Sequence, residues 1–167
     1  MSAALQDASA PVDVTVIIVS WNSREYTLRS VASILDRPSR CGVEVVVVDN
    51  ASTDGTQAQL GERFPQAQLI QNTGNVGFGR ANSQGMAVAR GRYLLLLNSD
   101  AFMDAGALDV LVDYLNAHER VACASPRLRY PDGRLQPSCY MFPTLASEVL
   151  AMFWLDKIFL RRPVADP

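Results

Sequence analysis

The stretch Tyr93 to Asp100, YLLLLNSD, leaves this chain few architectures to choose from. Its apolar run lacks the period-two alternation of a strand with one wet face. The pattern therefore predicts a strand buried on both faces, central in a parallel sheet covered by helices. The run stops at Asn98, Ser99 and Asp100. In such sheets ligands bind beyond the carboxyl ends of the strands, which is where this polar triplet falls. A carboxylate beside two small oxygen-bearing side chains suits a hard divalent cation shared with phosphates, although a lone Asp after a strand more often caps the next segment.

Two more β-branched runs end the same way. Val14 to Ser20 (VTVIIVS) stops at Trp21 and Asn22, and Val43 to Val48 (VEVVVV) stops at Asp49 and Asn50. Helical spacing fills the intervals. Asn22 is expected to cap a helix carrying Leu28, Val31 and Leu35, with Glu25 completing a capping box and Pro38 closing it. Further helices are expected from Thr56 to about Phe64, from about Gly79 to Arg90 with Gly91 as the stop, and after an Asp104 cap through Leu108, Leu111, Val112 and Leu115. Ala67 to Gln71 reads as a weaker strand and Val121 to Ser125 as a fifth. The Pro-Asp-Gly of Tyr130 to Gln136 signals a hairpin turn. Alternating strands and helices make an α/β chain with a Rossmann-like, mostly parallel sheet flanked by helices. Residues 1–12 read as a disordered leader, 13–143 as the domain, and 144–167 as an amphipathic helix opening a further region.

Composition narrows the function. Apolar residues make up 49% and charged residues 19%, as in a globular protein, and the net charge of -2 argues against nucleic acid as a partner. Cys41, Cys123 and Cys139 lack CxxC spacing, which favours a reducing compartment over disulfides or a zinc site, and His118 is the single histidine. The first residues lack the charged and apolar regions of a secretory signal, and no run reaches the roughly 18 apolar residues of a membrane span. A cytoplasmic location is expected. Leu145 to Leu160, with Met152, Phe153, Trp154 and Phe159 before Arg161 and Arg162, reads as a core helix first and as an interfacial membrane helix second.

Three polar clusters thus cap three parallel strands and should meet at one sheet edge. Asp49 could accept a hydrogen bond from a base imide or a ribose hydroxyl, or merely cap a helix, a role Asp54 fills as well. The loop GNVGFGRAN offers backbone N–H groups at a helix start, a place for anions. It is not GxGxxG directly after a strand, and GxxxxGK[ST] is absent, so neither a dinucleotide fingerprint nor a P-loop is present.

VIIVSWN, VVVVDNASTDGT, NVGFGRANSQG and LLLLNSDA, in this order, resemble family-two glycosyltransferases of the GT-A fold. The resemblance runs from about Val14 to about Pro143 and implies transfer of a sugar from a nucleoside-diphosphate sugar to a glycan or lipid-linked acceptor. It implies that Ser20 and Asn22 line the nucleoside pocket, that Asp49 reads the pyrimidine, and that Ser52 and Asp54 lie in the adjoining loop. Asn75, Arg80 and Asn82 match the segment against the donor. Asn98, Ser99 and Asp100 stand at the DxD-type motif, with Asp100 the ligand of Mg²⁺ or Mn²⁺ and Asn98 in place of the first Asp. The wording resembles the rhamnosyltransferase-like subgroup, which implies a dTDP- or UDP-linked sugar.

The family's catalytic base lies in a later segment that has no match here. Asp132 is explained by its turn, and Glu148 sits outside any matching motif. The chain therefore reads as the donor-binding half of an inverting transferase. The alternative is a non-catalytic nucleotide-sugar-binding module; a Rossmann-like oxidoreductase lacks its fingerprint. Peripheral membrane contact is an expectation from the terminal segment and the lipid-linked acceptors of the family.

Overall fold

The computed structural model describes residues 11–138 together with Thr144 and Met152. The chain divides into two units, Met1–Ala124 and Ser125–Pro167. The first holds four strands, β1 (Val14–Ser20), β2 (Val43–Asp49), β3 (Gln68–Gln71) and β4 (Tyr93–Asn98). Its helices are α1 (Arg24–Leu35), α2 (Thr56–Arg63), α3 (Phe78–Val88) and α4 (Ala107–Ala117). Every pairing is parallel, in the order β3-β2-β1-β4. This is the expected α/β sheet, and it begins slightly early: Val12 already accepts the Arg92 N–H.

The β-branched runs form strands because both their faces are buried. Val14, Val16, Ile18, Val45 and Val47 join Leu28, Val31 and Ile34 of α1, Leu60 of α2, and Leu108 and Val112 of α4 in one apolar layer. On the other face Val46 and Val48 pack with Ala81 of α3. Helix α3 lies close on β1: a Cβ added at Gly85 would come within 2.5 Å of Ile17 Cγ2.

Strand β4 departs from the expectation of a central, doubly buried position. It forms an edge among the described strands, and Leu94 and Leu96 are 47% and 46% exposed while Leu97 is buried. The cause is that α3 packs over β1 and β2, so that among the described residues that face of β4 is only partly covered. The leucine run does not report this, because leucine is apolar whether or not a helix arrives to cover it.

Four further expectations need correction. Asn22 does not cap α1; its φ of 49° is left-handed, and Ser23 precedes the first helical residue. Gly106, left-handed at φ 77°, precedes α4 in place of Asp104. Gly91 is no helix stop: α3 ends at Val88, and Gly91 is small because its Cβ would lie 2.3 Å from the Thr15 nitrogen. Val121 to Ser125 forms no strand, having no strand to pair with among the described residues.

In the second unit the Pro-Asp-Gly turn is present. Arg129 and Leu135 form an antiparallel bridge around Gly133, whose φ is 84°. Asp132 is engaged there with the Arg134 backbone N–H and Nε, so its carboxylate serves the turn. The segment Leu145 to Leu160 lies outside the described residues except for Met152, as do residues 1–10 of the expected leader.

Candidate functional site

The register delivers the polar strand ends to one edge. Ser20 pairs with Asp49, Asp49 with Gln71, and Val19 with Asn98. Strand order reverses direction at β1, since the chain moves to β2 and β3 on one side and to β4 on the other. That is the switch point at which open α/β sheets bind ligands.

The loop after β2 is built around two carboxylates. Asp49 is fully buried. Its Oδ2 accepts the Ser52 N–H at 2.9 Å and Gln57 Nε2 at 2.7 Å, and its Oδ1 accepts the Ser52 hydroxyl. Asp54 accepts the N–H groups of Arg24 and Thr56, the first residues of α1 and α2. Burial pushes the Asp54 carboxyl upward, but the Thr56 hydroxyl and these backbone donors outweigh it and hold it below the ordinary aspartate value.

Between the two carboxylates, Ala51 adopts a left-handed φ of 61°, a conformation that costs a side-chain-bearing residue about 1–2 kcal/mol. Asn22 ties the loop to the end of β1. Its N–H donates to Ser52 Oγ at 2.9 Å, and its Oδ1 accepts the Thr53 N–H at 2.8 Å. Asparagine tolerates the left-handed backbone this requires.

Ser20 turns inward. It is fully buried and shares a hydroxyl cluster with Thr27 at 2.9 Å, and Ser23 links Thr27 at 3.0 Å to Ser99 at 3.3 Å. The first turn of α1 is thereby fastened to the turn after β4. In that turn Ala101 N–H donates to the Asn98 carbonyl, while Asp100 is exposed and has no hydrogen bond or ion pair among the described residues. Among those residues no group of three His, Cys, Asp or Glu could cage a metal. The donor set, one free carboxylate beside an amide and a hydroxyl, fits a hard cation that takes its other oxygens from a diphosphate and water.

On the α3 side, Asn75 Oδ1 accepts the Gly77 N–H at 2.9 Å at the entrance to the helix. Arg80 is exposed in the first turn. Asn82 is buried and donates to the Phe78 carbonyl at 3.0 Å, so it secures the same turn from within.

Sequence reasoning overlooked a chain of three amides. Asn72 Nδ2 donates to Asn50 Oδ1 and to Gln84 Oε1, and Gln84 Nε2 returns a bond to Asn72 Oδ1, each at 2.9 Å. One signal was available: Asn72 follows β3 directly, as Asn50 follows β2.

Residues 15–163 match the sequence profile of glycosyl transferase family 2. The chain belongs to that family. Over 157 residues it is 29% identical to N-acetylglucosaminyl-diphospho-decaprenol L-rhamnosyltransferase of Mycobacterium tuberculosis, covering 83% of this chain and 50% of the relative. It thus spans half the length of that glycosyltransferase. A chondroitin synthase of Escherichia coli is 30% identical over 142 residues, 82% of this chain and 20% of the synthase.

Among solved structures, a mannosyltransferase of Pyrobaculum calidifontis in complex with GDP-Man and Mn²⁺ superposes with a TM-score of 0.57 at 30% identity. That match covers 64% of this family-2 chain and 33% of the other. S. aureus TarS, in complex with UDP-GlcNAc, gives 0.59 at 24% identity over 65% and 32% of the two chains. The GT-A fold expected of a family-2 transferase is borne out.

Proposed function

We propose that this chain is the nucleotide-sugar-binding portion of an inverting glycosyltransferase. It takes a dTDP- or UDP-linked sugar, rhamnose among the candidates, and passes it to a lipid-linked or polysaccharide acceptor. One observation carries the reading: the ends of β2, β1 and β4 align at the switch point, with a carboxylate-built loop on one side and the unpaired Asp100 on the other. The rhamnosyltransferase relative and its decaprenol-linked acceptor support the finer assignment.

Each residue then has a role. The nucleoside lies over the loop that Asp49, Ser52 and Asp54 hold rigid and that Asn22 ties to β1. The diphosphate lies between Asn98-Ser99-Asp100 and the start of α3, where free backbone N–H groups and Arg80 favour anions. Asn75 and Asn82 keep that helix start in shape, and the hydroxyl cluster through Ser20 and Ser99 sets the height of the Asp100 turn. A Mg²⁺ or Mn²⁺ held by Asp100 would neutralise charge on the departing diphosphate. The protein need supply no acid for that leaving group. Asp132 is engaged by Arg134 in its turn and is not proposed as the carboxylate base that the acceptor hydroxyl requires.

Calorimetric titration of UDP, dTDP and GDP with Mn²⁺ tests the reading. Binding of UDP or dTDP supports it, and a folded chain that binds none of them refutes it. Among the described residues no helix is long and apolar enough to cross a membrane. Contact with a bilayer through residues 145–162 is part of the proposal. Flotation with anionic liposomes, with and without those residues, would reveal it, and equal failure of both forms to float would remove it.

A further inference from the structure

We infer that a stripe of hydroxyls along α1, Ser23, Ser30 and Ser33, aims the turn that carries Asp100. Ser33 is thereby a positioning residue for the proposed cation, although its own bonds go only to backbone. The inference rests on the reading of Asp100 as the ligand of that cation and adds to it the residues that hold Asp100 in place.

Ser23, Thr27, Ser30 and Ser33 follow one another at intervals of four, three and three residues, which puts them along one side of α1. Thr27 and Ser30 are fully buried. Alanine would serve a buried helical position better, since it has the higher helix propensity and no polar atom to satisfy. Packing alone therefore does not account for hydroxyls here; their partners do. Ser23 stands at the cap position of α1 yet makes no cap bond. Its hydroxyl goes to Thr27 at 3.0 Å and to Ser99 at 3.3 Å instead.

These bonds bracket Asp100. Before it, the Asn98 carbonyl accepts the Ser30 hydroxyl at 3.4 Å as well as the Ala101 N–H at 3.1 Å, and Ser99 accepts from Ser23. After it, the Met103 N–H donates to Ser33 Oγ at 3.0 Å, and Ser33 donates to the Ser30 carbonyl at 2.7 Å. The two Ser33 bonds cannot be reversed, because an amide N–H only donates and a carbonyl only accepts. They join the far end of the turn to α1 beside the serine that meets its near end. Asp100 is exposed and has no hydrogen bond or ion pair among the described residues, so its carboxylate takes its place from this backbone. A cation such as Mg²⁺ demands near-ideal ligand geometry, and a turn that wanders loses the ligand. The turn is fastened sideways too, by Met103 in the apolar layer and by Arg29 at 4.5 Å over the Phe102 ring. Loss of one hydroxyl should therefore loosen it without unfolding the chain.

The test is calorimetry of UDP and dTDP, with and without Mn²⁺, on the native chain, Ser33→Ala, Ser33→Thr and Asp100→Ala. In the native chain Mn²⁺ should tighten binding on the order of tenfold or more. In Ser33→Ala that gain should fall to about threefold or less, with the metal-free affinity unchanged. Ser33→Thr retains the hydroxyl and should retain the gain. Amide exchange supplies a reading without metal: the Ala101 N–H of Ser33→Ala should exchange at least about tenfold faster, while β1 and β2 exchange as in the native chain. Ser30→Ala decides the question if Ser33→Ala fails to fold by circular dichroism. A merely structural role would weaken binding with and without metal alike. A folded Ser33→Ala that keeps the whole gain, or whose Ala101 exchanges no faster, would overturn the inference while leaving Asp100 as the ligand. If Asp100→Ala keeps the gain, or the native chain binds neither nucleotide, the reading beneath falls and this inference with it.

Discussion

Asp54 and Arg24 clasp each other at the entrance to α1: the Asp54 carboxylate accepts the Arg24 backbone N–H at 2.9 Å, and the Arg24 guanidinium donates to the Asp54 carbonyl at 2.8 Å. The other carboxylate oxygen takes the Thr56 N–H at 3.1 Å, so one side chain satisfies the first residues of two helices. Asp54→Ala should therefore destabilise the fold by about 2 kcal/mol, the upper range for a lost cap, in urea denaturation at neutral pH.

The same carboxylate contributes a specific pH dependence. Its folded pKa lies below the ordinary 3.8, which is close to its unfolded value. Its contribution is thus fully present above that value and is lost as pH falls through the lower, folded one. Urea midpoints measured from neutral pH down through this acid window should fall more steeply for the native chain than for Asp54→Asn. Parallel curves would show that Asp54 does not cap.

Much of this was open to a reader of the chain. The runs ending in Ser20, Asp49 and Asn98 sit where their β-branched and leucine content puts them, and the polar ends meet because parallel strands share a direction. What the pattern could not give was the position of β4 in the sheet, since that depends on where α3 lands. Nor could it give the occupation of each polar group. Asp49 and Asn50 are adjacent, yet alternation turns one toward α2 and the other toward α3, where the tertiary partners Gln57 and Asn72 occupy them. Two caps were misread for a related reason: Ser23 rather than Asn22 precedes α1, and Gly106, at positive φ, precedes α4 in place of Asp104, whereas Asp54 does serve the start of α2.

Gly85 and Gly91 should respond differently to alanine. At Gly91 the new methyl would meet backbone, 2.3 Å from the Thr15 nitrogen and 2.7 Å from the Val14 carbonyl carbon. At Gly85 it would meet Ile17 side-chain atoms, which can yield by moving. Gly91→Ala should cost about 3 kcal/mol and Gly85→Ala about 1–2 kcal/mol by thermal or urea denaturation. The reverse order would mean that α3 is held on β1 more rigidly than these side-chain contacts indicate.

Cys41 should be a poor nucleophile. Its Sγ donates to Asp109 Oδ1 at 3.1 Å, and burial together with that bond and charge raises its pKa to about 11. The thiolate is the reactive form, so at pH 8 Cys41 should alkylate at least about tenfold more slowly than the exposed Cys123, read peptide by peptide by mass spectrometry. Asp109→Asn should speed labelling of Cys41. It should also loosen the loop after α1, because Asp109 accepts from Ser39 Oγ and the Arg40 N–H as well.

Asp100 is the free carboxylate at the proposed diphosphate site, and the most direct test of that role is the Mn²⁺ dependence of UDP or dTDP binding in the native chain and in Asp100→Ala. In the native chain Mn²⁺ should tighten binding on the order of tenfold or more, as a cation bridging carboxylate and diphosphate would. In Asp100→Ala that gain should vanish while the metal-free affinity stays the same. A variant that keeps the whole gain would show that the cation is held elsewhere, and that the end of β4 is not the diphosphate site.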